Sequence, residues 1–221
     1  MTQLLVLRPE PGASATVERA RELGLDAVAV PLFEIETMDW DAPEPGGFDG
    51  LLLTSASAVR CGGSQLQTLR GLSAYAVGQP TADAAREAGF GIAAVGDAGV
   101  DRLLDSIGPD MKLLHLCGEE RHEPVNAAQK ITQIAVYRSK PVETVDLSAA
   151  PGSVALIHSP RAGRRFAELI GERSSIAVAA ISAAAAEAAG AGWKTVAAAG
   201  QPSDEALLAL AARLCNKPDP E

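Results

Sequence analysis

The stretch GLLLTSASAVR, residues 50–60, has a counterpart further along the chain in ALIHSPRAGRR, residues 155–165. In both, a short apolar run of strand length enters a Ser-containing turn and then a segment of helical character. Ser55 and Ser159 set the offset at 104 residues, and the register persists well beyond them. In VGDAGVDRLL (95–104) and AGQPSDEALL (199–208), Gly96 falls on Gly200 and Leu104 on Leu208. Weaker echoes follow in AREAGF (85–90) and AAGAGW (188–193), in LLVLRP (4–9) and LLHLCG (113–118), and in AVPLFEIE (29–36) and AVYRSKPVE (135–143). Self-similarity at a fixed offset marks duplicated supersecondary units. The chain reads as a tandem duplication with drift.

The rest of the chain follows the same pattern. Apolar runs at residues 4–7, 27–30, 50–54, 74–77, 91–95, 113–116, 134–136, 154–158, 176–181 and 195–199 predict strands. Segments 15–23, 56–69, 81–88, 100–107, 162–170, 183–189 and 204–214 carry apolar residues at three- and four-residue spacing and predict helices. Several begin at Ser, Thr or Asp, the residues that cap helix N-termini. Near-continuous apolar strands alternating with helices suit α/β architecture, in which helices cover both faces of a parallel sheet.

Composition narrows the function classes. The 221 residues are 47% hydrophobic and 21% charged, enough to bury a large core or two of modest size. Cys61, Cys117 and Cys215 are too few and too scattered for a disulfide framework or zinc site, which fits a reducing cytoplasm. The N-terminal apolar stretch is interrupted by Arg8 and Pro9, unlike a secretion signal, and the longest weakly apolar tract, 176–189, is too short to span a membrane. A net charge of −9 with 4% aromatic residues argues against a nucleic-acid surface, which needs a basic field. It does not exclude an anionic small molecule, which backbone amides and a few arginines can hold inside an acidic protein.

The duplication allows two divisions of the chain. One places consecutive domains either side of residues 108–109. The other is an insertion, in which the extended, Pro- and Glu-containing segments 31–45 and 137–151 pair as a two-stranded connector. Periodicity is compatible with both.

LVLRPEPGASATVERARELGLDAVAVPLFEIE (5–36), FDGLLLTSASAVR (48–60), YAVGQPTADAAREAGF (75–90), LLHLCGEER (113–121), IAVYRS (134–139) and VALIHSPRAGRRFAEL (154–169), taken in order, resemble uroporphyrinogen-III synthases. No single motif is specific; the ordered set, spanning essentially the whole chain, carries the resemblance. It implies two flavodoxin-like domains with parallel sheets facing a cleft, one inserted into the other. Residues 1–36 with 142–221 would form the first and 37–141 the second. It implies a cofactor-free, metal-free cytoplasmic monomer acting on a linear tetrapyrrole polycarboxylate, hydroxymethylbilane. Ring closure would lose water and invert one pyrrole through a spirocyclic intermediate. Two departures stand out: residues 119–132 are shorter than their first-repeat counterpart and contain Pro124, and AISAAAAEAAG (180–190) lacks the Gly and Thr that VGQPTA (77–82) retains.

In parallel sheets, ligands bind beyond the carboxyl ends of strands, where turns feed helix N-termini. Candidate substrate contacts are therefore Arg8, Thr54, Ser55, Ser57, Gly78, Gln79, Thr81, Gly118, Glu119, Arg121, Ser159, Arg161 and Ser182. The hydroxyl residues equally suit helix capping, and the glycines tight turns. Arg8 and Arg161 suit carboxylates, because a guanidinium fork matches two carboxylate oxygens. Tyr137 matches the family's tyrosine after the second connector strand and is the expected acid or hydrogen-bond donor to the departing hydroxyl. His115 and His158 sit in apolar strands and read as core residues. Cys117, His115, Glu119 and His122 come from one segment without a second ligand pair and do not read as a metal site. Two other readings are a non-catalytic ligand sensor of the same fold and a nucleotide or flavin binder. The second lacks Gly-x-Gly-x-x-Gly after the first strand and any Walker sequence.

Overall fold

The structure, a computed structural model, describes residues 2–97, 99–120, 124 and 127–215. In chain order the first repeat supplies β1 (Leu4–Val6), α1 (Gly12–Glu22), β2 (Ala27–Ala29), β3 (Phe33–Thr37), β4 (Gly50–Leu53), α2 (Ala56–Cys61), β5 (Ala74–Val77), α3 (Gln79–Glu87), β6 (Ile92–Gly96) and α4 (Val100–Asp105). The second supplies β7 (Lys112–Gly118), β8 (Lys130–Pro141), β9 (Val154–Ile157), α5 (Pro160–Leu169), β10 (Ala177–Ala180), α6 (Ala183–Ala189), β11 (Thr195–Ala198) and α7 (Asp204–Cys215). The chain divides into two compact units, Met1–Glu34 with Pro141–Glu221, and Ile35–Lys140.

The first unit holds a five-stranded sheet in the order β11-β10-β9-β1-β2, every pair parallel. The second holds a six-stranded sheet, β3-β8-β7-β4-β5-β6, with parallel pairing from β8 through β6. With β3 set aside, the two orders are the same once equivalent strands of the repeats are matched. Each sheet takes two adjacent strands from one repeat and three from the other. The chain passes between units within β3 and β8.

Alternation along the strands explains why both faces need cover. In the first sheet Leu4, Val6, Val154, Leu156, Ala177 and Ala179 face α1 and α7 through Val17, Ala20, Leu207 and Leu208. Leu5, Leu7, Ala155, Ile157, Val178 and Ala180 face α5 and α6 through Phe166, Ala185 and Ala189. Each buried Leu or Phe contributes about 1.5–3 kcal/mol relative to exposure. In the second sheet Leu51, Leu53, Leu114 and Leu116 pack on α2 and α3, while Leu52 and Leu113 pack on Leu103 and Leu104 of α4.

Several boundaries differ from the sequence reading. The single helix expected over 56–69 stops at Cys61 and resumes as a 3-10 helix, Gly63–Leu69, because Gly63 adopts φ +60° and breaks the α-helical ladder. The short strand expected at 134–136 is a twelve-residue strand, β8, since pairing with β7 satisfies its backbone well beyond the apolar run. Between β7 and β8 no described residue is helical; residues 121–123 and 125–126, part of the segment expected to be shortened, lie outside the described residues. Among the described residues no helix is long and apolar enough to cross a membrane.

Gly163 in α5 lets that helix touch α6 backbone to backbone: a Cβ there would lie 2.9 Å from the Ala185 carbonyl oxygen and 3.0 Å from the Ala189 nitrogen. Backbone atoms cannot swing aside, so Gly163→Ala should cost about 1–3 kcal/mol by overpacking, more than the roughly 1 kcal/mol that helix propensity returns. Urea unfolding is expected to show a lower midpoint. A midpoint equal to or above that of the parent would contradict the close helix contact.

Candidate active site

Parallel strands joined through helices deliver their carboxyl ends to one edge of each sheet, and the turns leaving that edge carry most of the candidate residues. In the second unit, Thr54 and Ser55 follow β4, Gly78 follows β5, Gly118 ends β7 and Tyr137 lies within β8. Ser55 caps α2, its hydroxyl accepting from the Ser57 amide at 3.1 Å; Ser57 contributes its backbone to the cap and sits inside the helix. Thr54 does not cap. Its Oγ1 lies 3.0 Å from Nε2 of His115, a fully buried residue of β7 that the sequence assigned to the core.

Tyr137 packs its ring on Gly118. A Cβ on Gly118 would fall 2.9 Å from the ring Cζ and 3.1 Å from the phenol oxygen, so only glycine admits the ring at this register. The glycine and the tyrosine pair across β7 and β8 just after an irregularity in the ladder. The Glu119 amide then donates to the Tyr137 carbonyl at 2.8 Å, closing the strand end. Burial pushes the phenol above its ordinary pKa, with the Ser55 hydroxyl acting in the opposite sense. The group therefore stays protonated through neutral and mildly alkaline pH and is a hydrogen-bond donor there. Tyr137, Gly118 and Ser55 come together as one cluster, with Thr54 and His115 on the adjoining strands.

The other candidates of this unit have separate tasks. Gly78 is the residue before α3 and adopts φ +81°, a conformation that favours glycine; no side chain caps that helix. Thr81, expected at the turn, is buried inside α3. Gln79 is exposed and its amide donates to Asp83 at 2.7 Å. Glu119 is exposed after β7, and Arg121 lies outside the described residues, as does His122.

In the first unit, Ser159 and Ser182 are helix caps, accepting from the Ala162 amide at 3.1 Å and the Ala185 amide at 3.3 Å. Arg161, expected in the turn after β9, sits in the first turn of α5 with its guanidinium 4.3 Å above the Phe33 ring, a cation–π contact. Arg8, two residues after β1, is anchored in a cluster that sequence reasoning missed. Its Nη1 reaches Asp204 at 3.5 Å and Thr16 Oγ1 at 3.4 Å. Asp204 also accepts from Thr16, from Arg19 and from His158 Nε2 at 2.9 Å. A carboxylate only accepts, so Nε2 carries the proton of His158. Burial holds the imidazole below its ordinary pKa and keeps it neutral near pH 7, although the bond to Asp204 opposes this. Burial alone would raise Asp204; bonds from His158 and Arg19 override it and leave the carboxyl well below the usual range. The sequence signals for this cluster were the strand-end Arg8 and a histidine at the end of an apolar strand, with nothing along the chain to link either to Asp204. Its partners lie up to 196 residues apart along the chain.

The protein has two tyrosines. Spectrophotometric titration should show a phenol ionising later than a free one, and Tyr137→Phe should remove that late step. A late step that persists in that variant would mean that Tyr137 is not the desolvated phenol.

Comparison with known proteins follows the same architecture. A family model described as uroporphyrinogen-III synthase HemD matches residues 14–209. The structure of uroporphyrinogen-III synthetase from Helicobacter pylori 26695 is 19% identical, with a TM-score of 0.68, over 97% of this chain and all of that one. A mutant uroporphyrinogen III synthase from the extremely thermophilic bacterium Thermus thermophilus is 17% identical, with a TM-score of 0.52, over 98% of this chain and all of that one. No curated protein matches the chain. At such identities the solved structures speak for the fold, two mostly parallel sheets with helices, and the family match speaks for descent. Running from α1 into α7 and through both halves of the duplication, that match means that the chain belongs to the uroporphyrinogen-III synthase family.

Proposed function

We propose that the protein is a working uroporphyrinogen-III synthase, a lyase that closes hydroxymethylbilane with loss of water and inversion of the terminal pyrrole. The observation that carries this reading is the family match together with a half-buried, protonated phenol within β8, lying on the glycine that ends β7, on the residue family resemblance assigns to acid assistance. The reading takes residues 1–36 with 142–221 as one domain and 37–141 as the other.

In the first step the pyrrole nitrogen pushes its electron pair toward the hydroxymethyl carbon, the C–O bond breaks, the oxygen takes up a proton from solvent and leaves as water, and the pyrrole N–H gives its proton to solvent. Tyr137 donates a hydrogen bond to that oxygen; its raised pKa suits donation better than full proton release. The substituted carbon of the far pyrrole then attacks the exocyclic methylene of the resulting azafulvene, forming the C–C bond of the spirocycle as the electron pair returns to the azafulvene nitrogen. That intermediate fragments and recloses with the ring turned over. Orientation supplies the larger share of the rate, since a flexible chain must be held with its two ends in reach. Helix-capping Ser55, Ser159 and Ser182 leave neighbouring first-turn amides of their helices for carboxylates. Each such interaction contributes about 0.3–1 kcal/mol.

Freshly generated hydroxymethylbilane closes spontaneously to isomer I, so the ratio of oxidised porphyrin isomers reads the activity. The purified chain is expected to yield a large excess of isomer III. Isomer I alone, with retained binding of the tetrapyrrole, would mean a sensor of the same fold. Tyr137→Phe is expected to lower kcat by about 10–100-fold, the range of one hydrogen bond to a developing charge, while isomer III remains the product. Unchanged turnover in that variant would remove the assignment of Tyr137 without touching the family.

A further inference from the structure

The carboxyl edge of the first sheet holds a charged cluster that the helix caps do not explain. Arg8 after β1, Thr16 and Arg19 of α1, His158 after β9 and Asp204 of α7 converge on a single carboxylate. With His158 neutral, two guanidinium groups face one carboxylate, leaving a local surplus of one positive charge in a chain of net charge −9. Asp204 is mostly buried, its side chain 18% exposed, whereas Arg8 is 35% exposed and open to a ligand.

The bonding of Arg8 is lopsided. Both of its hydrogen bonds leave from Nη1, to Asp204 and to Thr16; among the described residues Nε and Nη2 have no hydrogen-bond partner. The Nε–Nη2 side of the guanidinium lies against Gly12, where a Cβ would meet Nε at 2.6 Å and Nη2 at 3.0 Å, so a glycine there keeps side-chain bulk off that edge. A guanidinium pinned at Nη1 keeps the Nε–Nη2 fork for a carboxylate, the geometry of strong bidentate pairing. The duplication sharpens the point. Cys117 stands at the second repeat's equivalent of Arg8, and Val100 at the first repeat's equivalent of Asp204, so the cluster is particular to one sheet rather than inherited by both.

We propose that Asp204 is a positioning residue: by holding Arg8 at Nη1, with Arg19, His158 and Thr16 fixing its own carboxylate, it aims the free edge of Arg8 at one substrate carboxylate. This deepens the proposed function and rests on it for the identity of the substrate. Asp204 itself touches no substrate in this account.

A thermodynamic cycle tests it. Binding of uroporphyrin III, a stable octacarboxylate, is measured for the parent, Asp204→Asn, Arg8→Gln and the double variant, beside KM and kcat for hydroxymethylbilane. Asp204→Asn should weaken binding about tenfold or more, with the loss falling on KM more than on kcat, although removing a negative charge favours a polyanion on simple electrostatic grounds. In the Arg8→Gln background the same substitution should change binding less than about twofold, because the side chain it positions is gone. Asp204→Glu should recover part of the loss. Equal or tighter binding in Asp204→Asn, or the same loss in both backgrounds, overturns the proposal. If Asp204→Asn does not fold, Thr16→Val removes a tie to each of Arg8 and Asp204 and is read through the same cycle. Isomer I alone from the parent sinks the synthase reading but leaves the binding cycle to decide the role of Asp204. A parent that does not bind uroporphyrin III overturns the inference outright.

Discussion

A parallel sheet with apolar side chains on both faces is stable only when helices cover both, and in this protein that requirement organises everything else. Strands such as Leu4–Val6 and Val154–Ile157 are buried on every residue. Each must be followed by a crossover that returns the chain to the strand's starting end, and the helix is that crossover. The consequence is an edge where strands finish, helices begin and backbone amides are left without intrahelical partners. Ligand chemistry collects there because those unpartnered amides and the turns that carry them face the same way.

Duplication then gave the protein two such edges, and exchange of strands between the repeats made each sheet a composite. The two edges have since diverged. One carries Tyr137 lying on Gly118 beside Ser55, an aromatic hydroxyl kept protonated by burial. The other carries Arg8, Arg19, His158 and Asp204, an ionic cluster with a surplus positive charge. In the proposed function, equivalent edges of a common ancestral unit serve hydrogen-bond donation in one sheet and anion recognition in the other.

Much of this was readable along the chain. Ser55, Ser159 and Ser182 are the caps their positions suggested, since a hydroxyl next to the first helical turn has an amide within reach whatever the rest of the fold does. Thr81 failed the same test because helix α3 starts earlier, at Gln79, behind a glycine whose positive φ sets the turn, leaving the threonine inside the helix. Thr54 failed it because His115, on a neighbouring strand, competes for the hydroxyl. Arg161 was drawn to an aromatic ring rather than left free in a turn.

Local periodicity and short-range hydrogen bonding act between residues a few positions apart, so the sequence by itself determined most element types, their order, the duplication and the caps at Ser55, Ser159 and Ser182. Pairing and side-chain convergence act through space, between residues such as Arg8 and Asp204 that are 196 positions apart. Only the tertiary structure decided that β4 pairs β7 while β9 pairs β1, that glycine lies under Tyr137, and that one half-buried carboxylate gathers two arginines, a histidine and a threonine. The free energy of those arrangements depends on distance and burial, quantities with no trace in the linear order of residues.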